Sequence, residues 1–283
     1  MDSITLLGTK GGPAIRQGGA MPPASLLQLA GKAVIVDCGI GVARSAVHAG
    51  VSLLDIDAIF ITHLHSDHVL ELGPLLYTAW TTGLKRKIKV FGPDGIQNYW
   101  DNFLRSMSFD SAIRIEDEGR PPLVELVEVI TFSEGDVASP GDIAVTALRV
   151  DHPPVTECYA LRFEASAKSV VFSADTCYFP PLADFSNGAD VLVHEAMLTA
   201  GVDNLVRRTP GAGRLREHLI ASHTPASDAA KIARAANVKL LCLNHLVPAD
   251  DSAFDDDDWA SEVAKNWDGP VLIGKDGMNI PLD

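Results

Sequence analysis

The stretch Ala58–Leu72, AIFITHLHSDHVLEL, decides how this chain reads. An apolar, β-leaning run (Ala58, Ile59, Phe60, Ile61) delivers four candidate metal ligands within six residues: His63, His65, Asp67 and His68. In extended backbone, residues two apart point to the same side, so His63 and His65 can grip one ion together. Asp67 and His68 fall where the chain turns into an apolar-rich, helix-like segment, and can face a second ion beside the first. Neutral imidazole and carboxylate are the usual ligands for zinc, iron or manganese in hydrolytic sites. A buried or helix-capping cluster at a strand–helix junction is the plainer reading, and three histidines and an aspartate in so short a span fit it poorly.

Further along, three more candidate ligands each follow a short apolar run that reads as a buried strand: His152 in ALRVDHPP, Asp175 in VVFSADT and His245 in LLCLNHLVP. All three side chains are therefore expected at strand ends. The first motif resembles the His-x-His-x-Asp-His signature of the metallo-β-lactamase superfamily. The downstream histidine, aspartate and final histidine stand in that family's order, across almost the whole chain.

The resemblance implies an α/β fold, a four-layer αββα sandwich of two mixed sheets with helices outside, as one domain over residues 1–283. It implies two divalent ions: zinc, with manganese and iron also accepted by this ligand set. His63, His65 and His152 would hold one ion, Asp67, His68 and His245 the other, with Asp175 bridging. Such a pair about 3.5–4 Å apart lowers the pKa of a shared water, and metal-bound hydroxide attacks an ester-type bond.

Composition sets the outer limits. The chain has 283 residues, 47% of them hydrophobic, ample for a large core. Its net charge is −14, with 37 acidic against 23 basic residues, which argues against a surface built to neutralise phosphate backbones. Cys38, Cys158, Cys177 and Cys242 are far apart, form no CxxC pair and read as small buried hydrophobes in a reducing compartment. No run approaches the roughly 18 apolar residues that span a bilayer, and the N-terminus shows no signal-like pattern, so a cytoplasmic protein is expected.

Taken in order, Ile4–Leu7 reads as a strand, followed by the Gly-rich loop Gly8–Ala20. That loop lacks P-loop and GxGxxG spacing, so a loop lying beside the metal site is favoured over a phosphate cradle. Ser25–Leu29 and Ala33–Asp37 form a hairpin, with Asp37 close to the metals or simply a turn former before Gly39. Ile40–Ala49 reads as a short helix ending at Gly50. After the motif come a helix to Thr82, a strand Lys87–Phe91 and an amphipathic helix Ile96–Met107. The aromatic side chains Tyr99, Trp100 and Phe103 form a packing stripe there, with some available to wall a pocket. Phe109–Pro122 reads as a surface loop or lid. Val124–Phe132 and Ile143–Val150 read as strands around the acidic turn Ser133–Asp142, and Tyr159–Phe163 and Ser169–Ser173 as a tight hairpin. Val191–Val193 reads as a buried strand, Ala226–Ala236 as a helix and Leu240–Leu243 as the strand that delivers His245. The pocket walls are expected in Phe103–Pro122 and Thr199–His218.

Residues outside the ligand set narrow the resemblance. VLVHEAM holds His194 and Glu195 after a strand, and SHTPASD holds His223 one helix before His245. With FGPDG and FSADT, these look like the branch containing tRNase Z and the zinc arylsulfatases. There the glutamate orients a histidine that donates a proton to the leaving oxygen, which implies Glu195, His223 and, for the attacking water, Asp67 as catalytic residues. His194 reads as a core histidine, and His48 and His218 as surface or packing residues. The departure from tRNase Z is plain: where that enzyme inserts a long basic arm, only Glu164–Lys168 joins the two strands here, and His-Thr-Pro stands for His-Ser-Thr. The expected function is hydrolysis of a small ester (arylsulfate, phosphodiester, lactone or a related bond). A tRNA 3′-processing endonuclease and a non-catalytic di-metal sensor are the alternatives. The expected partners are a small-molecule substrate, no nucleic acid and no membrane, and a homodimer is compatible with the long apolar segments.

Overall fold

The computed structural model describes residues 2–137 and 140–282; positions 138 and 139, in the middle of the acidic turn expected at Ser133–Asp142, lie outside them. The strands are β1 (Ser3–Gly8), β2 (Ala24–Leu29), β3 (Lys32–Val36), β4 (Ala58–Phe60), β5 (Ile88–Gly92), β6 (Val127–Thr131), β7 (Gly135–Val137), β8 (Ala144–Arg149), β9 (Tyr159–Ala165), β10 (Lys168–Phe172), β11 (Val191–Met197), β12 (Leu240–Val247), β13 (Val271–Ile273) and β14 (Asn279–Pro281). They form two seven-stranded mixed sheets, ordered β14-β1-β2-β3-β4-β5-β6 and β13-β12-β11-β10-β9-β8-β7. The helices are α1 (Val42–His48), α2 (Ser66–Val69), α3 (Leu72–Thr81), α4 (Ile96–Ser106), α5 (Ser108–Glu118), α6 (Leu123–Leu126), α7 (Pro181–Phe185), α8 (Val202–Arg207), α9 (Leu215–Ser222), α10 (Ala226–Ala236) and α11 (Asp256–Ala264).

Period-two alternation explains the layering. On β3 and β4, Val34, Val36, Ala58 and Phe60 point into the space between the sheets, while Ile35 and Ile59 point out to α1, α3 and α4. On β10 and β11, Val170, Phe172, Val191 and Val193 point inward, while Val171 and Leu192 pack against α7, α10 and α11. Strands apolar on both faces are buried on both faces, which requires helices outside each sheet. The expected four-layer sandwich is what forms.

Local expectations change in four places, and the first is that the acidic turn expected at Ser133–Asp142 contains the strand β7, paired antiparallel with β8. Phe109–Pro122 is mostly a helix, α5, with no residue buried. Its support is charge pairing at helical spacing: Arg114 bridges Asp110 at 2.7 Å and Glu118 at 2.9 Å. Residues 123–126 form the helical turn α6 before β6 instead of the start of a strand. The helix expected from His68 to Thr82 breaks between α2 and α3, where the Glu71 carboxylate accepts from the Gly41 and Ala43 backbone N–H groups at the start of α1. The aromatic stripe of α4 packs inward, with Trp100 and Phe103 stacked at 5.8 Å between ring centres. Among the described residues no helix is long and apolar enough to cross a membrane.

Candidate metal centre and active site

The β4 strand ends at Phe60, and His63 and His65 follow in non-helical chain before α2 begins at Ser66. His65 is the extended residue preceding that helix, and Asp67 and His68 occupy its first turn. His152 lies just past β8, and Asp175 just past β10. His245 departs from expectation: it sits inside β12, not beyond a strand end. The register against β11 pairs Glu195 with Asn244 and Ala196 with Leu246, so His245 is the extra residue of a β-bulge, at φ 44°. A bulge re-aims one side chain out of the pleat. Asp37 (φ 63°) and Ala174 (φ 55°) share this left-handed conformation beside the site, a concentration of local strain typical of functional positions. Glu195, too, lies within β11 rather than after it.

Two clusters result: His63, His65, His152 and Asp175, and Asp67, His68, Asp175 and His245. All seven sequence-predicted ligands are brought together. One atom belongs to both groups. Asp175 Oδ2 lies 3.8 Å from His63 Nε2, 3.3 Å from His68 Nε2, 3.9 Å from His152 Nε2 and 3.1 Å from His245 Nε2. His65 Nδ1 faces His152 Nε2 at 3.1 Å, and Asp67 Oδ2 is 3.4 Å from His245 Nε2.

Hydrogen bonding fixes which ring nitrogens are bare. The Thr62 hydroxyl donates to the Asp37 carboxylate at 3.0 Å, so its oxygen accepts from His63 Nδ1–H at 3.1 Å. His68 Nδ1–H donates to Asp37 Oδ2 at 2.8 Å, and His152 Nδ1–H to the Ser222 carbonyl at 2.9 Å. The neutral rings of His63 and His152 then present Nε2 lone pairs toward Asp175, whereas the carboxylates around His68 hold that ring in its charged form against burial. Lone pair against anion is repulsive unless a cation lies between, and His63 Nε2 and His68 Nε2 are buried without a hydrogen-bond partner. The residues fit a pair of divalent cations.

The electrostatics agree. Burial, then the neighbouring His68, pushes His63 well below the usual imidazole range. Burial and His152 lower His65 to about 4. Burial also lowers His152, against the pull of Asp175. These rings stay neutral. In the second cluster burial opposes charge on His245, but Asp175 and Asp67 overcome it and raise the ring to about 10. Burial likewise opposes ionisation of Asp175, and His245 and His68 override it. The carboxylates thus draw protons onto His68 and His245, positive charge that a bound cation would supply in their place.

Asp37, weighed in the sequence as either a metal neighbour or a turn former, holds both His68 and, through Thr62, His63. Asp37→Asn tolerates the left-handed backbone but cannot accept from all its donors. It should weaken metal retention roughly 10–100-fold, as loss of such partners does; unchanged retention in chelator competition would refute this role.

The Gly-rich loop closes one side. Gly12 N–H donates to Asp67 Oδ2 at 2.9 Å, and a Cβ on Gly11 would lie 2.8 Å from the His245 ring. Buried Lys10 donates to the carbonyls of Gly12 (3.3 Å) and Ala14. The loop thus braces metal-facing side chains, as the expectation of a loop beside the site requires.

A third group joins Glu195, His223 and His245. Glu195 Oε1 accepts from His223 Nδ1–H at 3.1 Å and from the Thr176 and Thr224 N–H groups at 3.0 and 3.2 Å. Burial lowers the His223 pKa, and the Glu195 carboxylate more than reverses this. His223 also lines a pocket of about 290 Å³ with His65, Asp67, Asp175 and His245. The lining also includes the apolar side chains Leu205, Leu215, Leu219 and Val247. So the Thr199–His218 segment walls the pocket as expected, and Phe103–Pro122 does not. His194 is buried with Nδ1–H on the Glu195 carbonyl at 2.6 Å, a core role, and His48 is exposed on α1. His218, which reads in the sequence as a surface or packing residue, lines the pocket instead.

Known proteins resemble this chain in sequence and in fold. The family model described as "Anti-Pycsar protein Apyc1" matches residues 3–207. A ribonuclease Z of Mycolicibacterium gilvum is 33% identical over 282 residues, covering 98% of this chain and 94% of that one. The metallo-β-lactamase fold protein YhfI from Bacillus subtilis superposes with a TM-score of 0.73 at 24% identity, over 99% of this chain and 100% of its own. The short form of human tRNase Z gives 0.70 at 20% identity, over 100% of both chains. These two solved structures share the fold.

Proposed function

This chain belongs to the metallo-β-lactamase superfamily, within the family described as anti-Pycsar protein Apyc1, and on that premise we propose that it hydrolyses a small phosphodiester. It is a metal-dependent hydrolase acting on ester bonds; the proposal concerns which ester. The observation that carries it is the convergence of both clusters on one atom, Asp175 Oδ2, at the base of a pocket of about 290 Å³.

In this reading His63, His65 and His152 hold one ion, Asp67, His68 and His245 the other, and Asp175 serves both, with zinc the first choice. Two divalent ions supply a water acidified toward neutrality and positive charge against the ester oxygens. The chain does the rest. Asp67, fixed by Gly12 N–H, orients the attacking water by accepting from it. His223 has Nδ1–H committed to Glu195, which leaves Nε2 to carry a proton to the leaving oxygen. The apolar side chains of the lining accept the organic part of the ester.

Charge supports a small substrate over a polynucleotide. Lys10 is turned into its own loop, and Arg16 is paired with Asp250 at 2.8 Å, so neither offers a free cation at the pocket mouth. With net charge −14 and a two-residue turn, Ser166-Ala167, where tRNase Z carries its arm, a phosphate backbone finds little to hold. The four cysteines are free, in keeping with a reducing, cytoplasmic setting.

A second reading, tRNA 3′ processing, is favoured by the full-length similarity to a ribonuclease Z. One panel separates the two: bis-p-nitrophenyl phosphate, p-nitrophenyl sulfate, a p-nitrophenyl carboxylate, a lactone and a precursor tRNA. The proposal expects the phosphodiester to be preferred and the tRNA to bind weakly in a gel shift. Preferential cleavage of the tRNA 3′ trailer would install the second reading.

A further inference from the structure

His218, on α9, presents its ring to the pocket 5.9 Å from His223, 6.3 Å from His152 and 6.4 Å from His65, centre to centre. No step of the chemistry above uses it. The tautomer of its neutral ring can be read from one hydroxyl. Ser222 has a single O–H, and that hydrogen goes to the Pro153 carbonyl at 2.5 Å. The Ser222 oxygen can therefore only accept from His218 Nδ1, 3.2 Å away. The proton of the neutral ring lies on Nδ1, and Nε2 carries a bare lone pair. Among the described residues only Ser222 bonds this ring.

The contrast with His223 is chemical. His223 is backed by a carboxylate and is suited to donate; His218 is backed by a hydroxyl oxygen and is suited to accept. An anionic ester oxygen would be repelled by the Nε2 lone pair, whereas an O–H or N–H group would be held by it. Resting on the small-phosphodiester reading, we propose that His218 is a specificity residue: its Nε2 accepts a hydrogen bond from a hydroxyl carried by the substrate next to the scissile ester. The substrate class is thus a hydroxyl-bearing phosphodiester, its apolar part against Leu205 and Leu219. A site built to bond a substrate hydroxyl discriminates strongly against the analogue without it, because the acceptor is then left unpaired.

The test uses the metal-loaded protein and two probes, 3-hydroxypropyl p-nitrophenyl phosphate and propyl p-nitrophenyl phosphate. The unaltered protein should prefer the hydroxypropyl ester in kcat/KM by roughly tenfold or more. In His218→Phe, which keeps a flat ring but has no acceptor, the preference should fall to about one. His218→Gln, which restores an acceptor oxygen, should recover part of it. Inhibition of the unaltered protein by 3-hydroxypropyl phosphate against propyl phosphate reads the same preference without a variant. Turnover of both probes with no preference, or a preference that survives in His218→Phe, would overturn the assignment, as a water-holding or packing role would give. If neither probe is turned over, the small-phosphodiester reading falls and this inference with it.

Discussion

Asp175→Ala should lower turnover by at least on the order of 10³-fold, the largest single loss expected anywhere in the chain. The reason is geometric. Four imidazole nitrogens from three separate parts of the sequence face one carboxylate oxygen, at 3.1 to 3.9 Å. Removing any one histidine leaves the other cluster its full set, but removing Asp175 strips both. Metal content should therefore fall from two equivalents to one or fewer, in step with activity. Asp175→Asn separates shape from charge: it should retain more metal than alanine but recover little turnover, since an amide cannot balance the charge of two cations. Two retained equivalents with turnover within about tenfold of the parent would show that Asp175 is not shared.

His223→Ala should be the second largest, about 10²–10⁴-fold on esters with poor leaving groups. Here the loss should depend on substrate. A leaving p-nitrophenoxide departs without a proton and should lose little, whereas an alkoxide should lose most. Metal content should be unchanged, because Nδ1 of His223 is committed to Glu195 and the ring belongs to the proton-donating side of the site. Glu195→Gln should show the same dependence in smaller measure, since it removes the charge that favours the protonated ring. Equal losses across leaving groups of different pKa would sink the general-acid role.

Much of this site is legible in the amino-acid sequence, for a physical reason. His63 to His68 are neighbours along the chain, so strand and helix geometry alone place them around a common point. His152 and Asp175 are legible because buried strands announce themselves by apolar runs, and side chains just past strand ends meet at one edge of a sandwich. His245 joins the cluster with Asp67, His68 and Asp175, but for a different local reason from the one its sequence suggests. A bulge is a mismatch between two strands, Glu195–Ala196 against Asn244–Leu246, and a single strand's sequence cannot display it.

His218 escapes a sequence reading for a related cause. Nothing within its own helix marks it, and its meaning comes from Ser222, Pro153 and the pocket, which only tertiary packing assembles. The helix α5 reads as a loop because no face of it is buried, so the apolar periodicity that normally reveals a helix is lacking. Its Asp110, Arg114 and Glu118 spacing is the available signal. Asp37 shows the remaining limit: a turn-forming aspartate and one that orients two imidazoles look identical until their neighbours fold against them.

The most direct measurement is metal content per chain by elemental analysis after loading with zinc, manganese or iron, paired with turnover of bis-p-nitrophenyl phosphate. Two equivalents, with activity rising as the second is filled, is the result the shared Asp175 requires. Fewer than one equivalent in folded protein, and no turnover with any of the three metals, would contradict it.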